Sequence, residues 1–113
     1  MSKTETVKDF NGTLNKAISE TIGNVLGSNV LDTLYHVLEA KYSVTSEELP
    51  YRLDTMWEVL EHALGYVSSR TVGRSIAKLF YSKLGLDFVA YPQWRLQDYV
   101  EDAKKKLALT SNL

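Results

Sequence analysis

The first residues in this sequence that could hold a metal are its two histidines and their acidic neighbours. His36 and Glu39 are three positions apart, and Glu58 and His62 are four apart. On a helix each pair shares one face, as a metal site requires. Carboxylate-bridged di-metal bundles place a Glu-x-x-His pair on each of two helices. Here the first pair runs in the reverse order and the second has the wrong spacing. No Asp-x-Asp loop, His-Glu-x-x-His run or cysteine cluster supports them. The expectation is two histidines at or near the surface among charges, with no metal and no cofactor. Nucleophilic chemistry has no better footing. No serine lies in a Gly-x-Ser-x-Gly turn, and neither histidine is placed to serve a serine as its base. Gly23 and Gly27 lack the Gly-Lys-Ser/Thr ending of a phosphate loop. The chain therefore reads as a non-enzyme.

Charge is arranged more tellingly. Between Ser46 and His62 stand the acids Glu47, Glu48, Asp54, Glu58 and Glu61 against the single base Arg52. Between Tyr66 and Leu84 stand Arg70, Arg74, Lys78 and Lys83, with no acid. Arg70, Arg74 and Lys78 step by four, which makes one stripe on a helix opposite Val72, Ile76 and Leu79, and Tyr81 is assigned to the same stripe. A basic stripe with an aromatic can meet an acidic partner helix, with Arg70, Arg74, Lys78 and Tyr81 as the binding residues. It can also meet phosphates, with Arg70, Arg74, Lys78 and Lys83 as the contacts. The plainer readings are a solvated face, or internal pairing with the acidic stretch before it. Trp57, Trp94 and the seven tyrosines could line a ligand pocket, although aromatics at helical spacing usually serve as core.

The elements that must position these residues are helices. Phe10, Leu14, Ala17, Ile18, Ile22 and Val25 recur at three and four, the period of an amphipathic helix. Met1 to Asp9 is polar and is expected to be a loose tail. Gly27 stops the first helix, and Ser28 or Asn29 is the expected cap of a second. That second helix buries Leu31, Leu34, Tyr35, Leu38 and Tyr42. Ser43 to Arg52 is a connector in which Thr45 and Glu48 have capping-box spacing. Asp54 or Thr55 begins a third helix with Met56, Trp57, Leu60, Ala63 and Leu64 inward, and Gly65 ends it. A fourth runs from about Ser68 to Leu84. Phe88 to Tyr91 is expected as a strap on the core or a short strand. Pro92 suits the first turn of a fifth helix, with Leu96, Tyr99, Val100, Ala103 and Leu107 inward. Lys104, Lys105 and Lys106 are expected near its C-terminus, where they complement the helix dipole. The fold class is all-α: a compact bundle of about five short helices in one domain over residues 10–113.

The chain also echoes itself. Leu26-Gly27 is answered by Leu64-Gly65. Leu34, Val37, Leu38, Lys41 and Tyr42 then match Ile76, Leu79, Phe80, Lys83 and Leu84 at a constant offset. That pattern reads either as two pseudo-repeated helical hairpins or as the similarity any two amphipathic helices share. Leu26-Gly27, the run Tyr35-His36-Val37-Leu38-Glu39-Ala40-Lys41-Tyr42-Ser43-Val44-Thr45, Glu47-Glu48-Leu49-Pro50, Leu64-Gly65 and Lys83-Leu84-Gly85 together resemble the nitrosopumilus output domain, a family of small archaeal helical domains. The resemblance covers roughly residues 22–86. It implies an archaeal cytosolic protein working beside signal-transduction proteins, and it implies no catalytic residues. Ser68, Ser69 and Gly73 make the second hairpin more polar than the family's usual one.

Composition bounds what remains. With 113 residues, 44% hydrophobic and 24% charged, the chain can build a core without covalent staples. A net charge of −1 gives no whole-molecule field toward nucleic acid or acidic lipid. The chain has no cysteine, no apolar leader at its start and no apolar run long enough to span a bilayer. A cytoplasmic protein with no membrane partner is expected. The leading functional expectation is a regulatory or protein-interaction module, with a homodimer as a fitting form. The alternative is a DNA-binding regulator that uses basic helix four in a helix-turn-helix. A bundle binding a small molecule or lipid is the third reading.

Overall fold

Two Leu-Gly pairs set the path of the chain. Gly27 (φ 98°, ψ 157°) and Gly65 (φ 85°, ψ 176°) adopt nearly the same backbone conformation, one that only glycine enters readily. Each lets one helix end and another begin with no intervening loop. A computed structural model describes the backbone of residues 3–111 and the side chains of 10–108. Its helices are α1 (Lys3–Leu26), α2 (Ser28–Tyr42), α3 (Leu53–Leu84) and α4 (Leu96–Ser111), with a short 3-10 helix at Ser46–Tyr51. Gly65 breaks α3 into segments 53–64 and 66–84. Among the described residues there is no strand, so the all-α bundle stands. No helix of the described residues is long and apolar enough to cross a membrane.

α1 packs along α3 and touches both α2 and the 3-10 helix, while α4 packs on α3. The stripes read from periodicity supply the core: Leu14, Ile18, Ile22, Leu34, Leu38, Met56, Trp57, Leu60, Ile76, Phe80, Leu96, Tyr99 and Ala103 are all buried. The echo has a physical counterpart. Leu34 and Ile76 are both buried, Leu38 and Phe80 are both buried, and Val37 and Leu79 are both half-buried. Trp57 of the first α3 segment packs on the second at Gly73, where a Cβ would fall 2.6 Å from the indole ring. The glycine that looked irregular in sequence is therefore what admits the tryptophan.

Several boundaries differ from the sequence reading. α1 begins at Lys3, before the expected start at Phe10. Residues 3–9 hold neither glycine nor proline to stop a helix, and the Met1–Ser2 part of the expected tail lies outside the described residues. Gly27 itself, with no side-chain cap, stands at the N-terminus of α2 in place of Ser28 or Asn29. Thr45 and Glu48 do form a capping box on the 3-10 helix. The Glu48 carboxylate accepts from the Thr45 N–H at 3.1 Å and from its hydroxyl at 2.9 Å. Pro92 sits in a turn closed by the Trp94 N–H on the Tyr91 carbonyl at 2.9 Å, so α4 starts later, at Leu96. Proline suits the second position of such a turn as well as the first turn of a helix. Because α4 continues to Ser111, Lys104, Lys105 and Lys106 lie inside it, away from the carbonyls of its last turn. There Lys104 pairs with Glu101 and Lys106 with Asp102.

The strap from Phe88 to Tyr91 lies on the core as expected, without becoming a strand. Tyr99 pins it. Its hydroxyl accepts from the Tyr91 N–H at 2.8 Å and donates to the Tyr91 carbonyl at 3.0 Å. Phe88 packs 5.3 Å from the Tyr99 ring, and Tyr91 stacks on Trp94 at 4.2 Å.

Candidate functional site

The basic stripe does not survive as one surface. Arg70 is drawn inward, with its side chain only 14% exposed. Its guanidinium donates to Glu61 Oε2 at 3.2 Å, the same oxygen that accepts from the Trp57 indole N–H at 3.1 Å. The Tyr66 ring lies 3.6 Å beneath its Cζ. The Glu61 contact bridges the Gly65 break, so Arg70 helps to hold one α3 segment against the other. Helix spacing alone could not show this, because the break brings together residues that no continuous helix would. Lys83 is also tied, to Glu20 of α1 at 3.2 Å.

Tyr81 corrects the reading most sharply. It is buried, not part of an exposed stripe. Its hydroxyl donates to Asp102 Oδ2 at 2.6 Å and toward the Tyr99 carbonyl at 2.8 Å. Burial, then the Asp102 hydrogen bond, push its phenol well above the ordinary tyrosine range. Partial burial pulls the Asp102 carboxyl upward, but hydrogen bonds from Tyr81 and Lys106 and the charges of Lys106 and Lys105 outweigh it, so the net shift is downward. Of the stripe read from sequence, Arg74 is half-buried and Lys78 exposed, and neither has an ion pair among the described residues.

The histidine pairs are not gathered. His36 and His62 are both exposed, and no group of three metal-ligating side chains occurs among the described residues. Another polar cleft lies beside the Arg70–Glu61 pair, lined also by Asp54, Trp57, Glu58, Arg95 and Gln97. It is broad and carries mixed charge, and Gln97 within it donates to Asp54 at 3.0 Å.

A different surface emerges between α2 and the first segment of α3. An apolar cavity of about 100 Å³ opens there, walled by Val30, Val37, Val59, Ala63 and Leu64 above a floor of Ile22, Leu34 and Leu60. It runs into a wider hollow of about 370 Å³ lined by Val37, Lys41, Tyr42, Glu58, Val59, His62 and Ala63. The two share the lining residues Val37, Val59 and Ala63, so they adjoin, and together they are called the groove below. Val30 and Leu64 lie close in sequence to Gly27 and Gly65, so both glycine joints sit at the same end of it.

The groove coincides with the failures of the periodicity reading. Val25, Tyr42 and Ala63 were assigned inward by their helical stripes. Val25 is 58% exposed and Tyr42 38% exposed, and Ala63 is exposed too. Tyr42 and Ala63 line the groove itself. Val25 stands beside the Gly27 joint, and exposed Tyr66 and Val67 follow the Gly65 joint. The sequence thus carries apolar stripes further than its own fold covers them.

No family model, curated protein or solved structure matches this chain.

Proposed function

We propose that this chain is a non-enzymatic protein-interaction module that docks an apolar helical face in the groove between α2 and α3. One observation carries the reading: stripe positions that periodicity marks as core, Tyr42 and Ala63, are left uncovered along a continuous apolar groove. Contiguous exposed apolar surface of this kind marks interaction sites more often than isolated exposed residues do. A groove between two helices is the common receptor for an amphipathic helix read at i, i+3, i+4 and i+7. The resemblance to the nitrosopumilus output domain supplies the setting, an output element beside archaeal signal-transduction proteins. The basic residues take a smaller part, because Arg70 and Lys83 already have partners within the chain. Arg74 and Lys78 are what remains for the DNA-binding alternative. The α2–α3 connector holds a 3-10 helix, which is longer than the three- to four-residue turn of a helix-turn-helix.

Selection of displayed helical peptides against the chain tests this directly. Amphipathic sequences should be enriched, and Ala63→Glu should abolish their binding while leaving the circular dichroism spectrum intact. Acidic peptides indifferent to Ala63→Glu but lost with Lys78→Glu would move the site to the basic face. Tight, steeply salt-dependent duplex binding lost with Arg74→Glu would move the function to DNA.

A further inference from the structure

We infer that the groove's occupant is a second copy of this chain, joined across a two-fold axis. The inference rests on the docking reading above and goes on to name the partner. The first ground is charge. Lys41 stands on the α2 rim and Glu58 on the α3 rim of the same hollow. Both are exposed, and neither has an ion pair among the described residues. His62 and Tyr42 are the other titratable groups lining that hollow.

A two-fold interface uses the same patch on both copies, and with the axis along the groove a residue on one rim meets the residue on the opposite rim of the partner. One rim positive and the other negative is the pattern such an axis needs: Lys41 of each copy faces Glu58 of the other, twice. A foreign helix carrying one sign of charge would satisfy only one rim.

The second ground is shape. α2 and the first segment of α3 form a two-helix layer. Two such layers placed face to face make a four-helix arrangement, in which apolar side chains of each pair fill the other's groove. Fifteen residues of α2 at about 1.5 Å each span roughly 22 Å, and two helices side by side are about 20 Å across. The flat footprint is then on the order of 450 Å² per copy, below the ~800 Å² of a standard stable interface. The expected assembly is a reversible dimer whose population follows concentration, and it is not an obligate one.

Sedimentation equilibrium on the full chain, from low micromolar to near millimolar, reads this out. Wild type should pass from monomer to dimer across the range. Lys41→Glu and Glu58→Lys should each weaken the dimer about tenfold, since two attractive contacts become repulsive. Mixing the two single variants should restore it, because both facing pairs are then Glu against Lys. The doubly reversed chain should restore it as well. Circular dichroism should stay unchanged for all of them. A chain that stays monomeric at every concentration overturns the second-copy inference, and the peptide selection then decides the docking reading separately. A dimer indifferent to these reversals and to their mixing overturns it too, placing the contact on another face.

Discussion

The two segments of α3 on either side of Gly65 carry comparable apolar stripes but are covered very differently. The later segment, 66–84, is closed over by α4 and by the strap before it. Tyr81, Phe88, Tyr91, Trp94 and Tyr99 interlock there, with ring centroids between 4.2 and 6.3 Å apart, and the Tyr81 and Tyr99 hydroxyls are hydrogen-bonded within the chain. The earlier segment, 53–64, meets α1, the later segment through Trp57 and Glu61, and α4 through Asp54, but its flank toward α2 is lined by open apolar hollows. One side of α3 is thus covered by the chain's own lid, and the other carries apolar side chains that no other part of the described residues covers.

Tyr99→Ala should show the largest effect, because it removes a buried ring and the hydroxyl that pins the strap. The expected cost is about 3–5 kcal/mol, the range for truncating a buried aromatic, measured by urea unfolding. A cost under about 0.5 kcal/mol, the usual surface value, would mean the strap end is not closed.

The next effect is on the acid side. The Asp102 carboxyl is held below the ordinary aspartate range. A depressed pKa in the fold contributes stability that is present above the unfolded value of about 3.9 and is lost as pH falls through the folded one. Unfolding followed from pH 6 down to about pH 2 should therefore flatten in Asp102→Asn over the carboxylate range. An unchanged slope would show that the Tyr81–Asp102 contact does not distinguish the folded state.

The smallest folding effect should come from the open side. Ala63→Ser should change stability by no more than about 0.5 kcal/mol and should act on association instead. A large folding cost there would make the groove wall part of the core and erase the contrast.

Most of the fold was legible because its signals are local. Helical periodicity, the two Leu-Gly joints and the Thr45–Glu48 capping box each act within a few residues. What escaped was long-range. Arg70 reads as a surface cation until the Gly65 break turns it toward Glu61. Tyr81 reads as polar until Asp102 of α4 arrives to take its hydroxyl. Pro92 is equally at home in a turn or at a helix start, and Tyr99 decides between them by holding Tyr91. The groove was hidden for the opposite reason. Periodicity marks Tyr42 and Ala63 as inward, and cannot say whether the inside is supplied by this chain or by another.

Backbone amide shifts recorded over a dilution series of the wild-type chain test that division most directly. Val30, Val37, Tyr42, Val59 and Ala63 should move with concentration, while Lys78, Val89 and Tyr91 hold still. Movement confined to Lys78 and its neighbours or to the strap, or no movement at all up to near-millimolar protein, would contradict it.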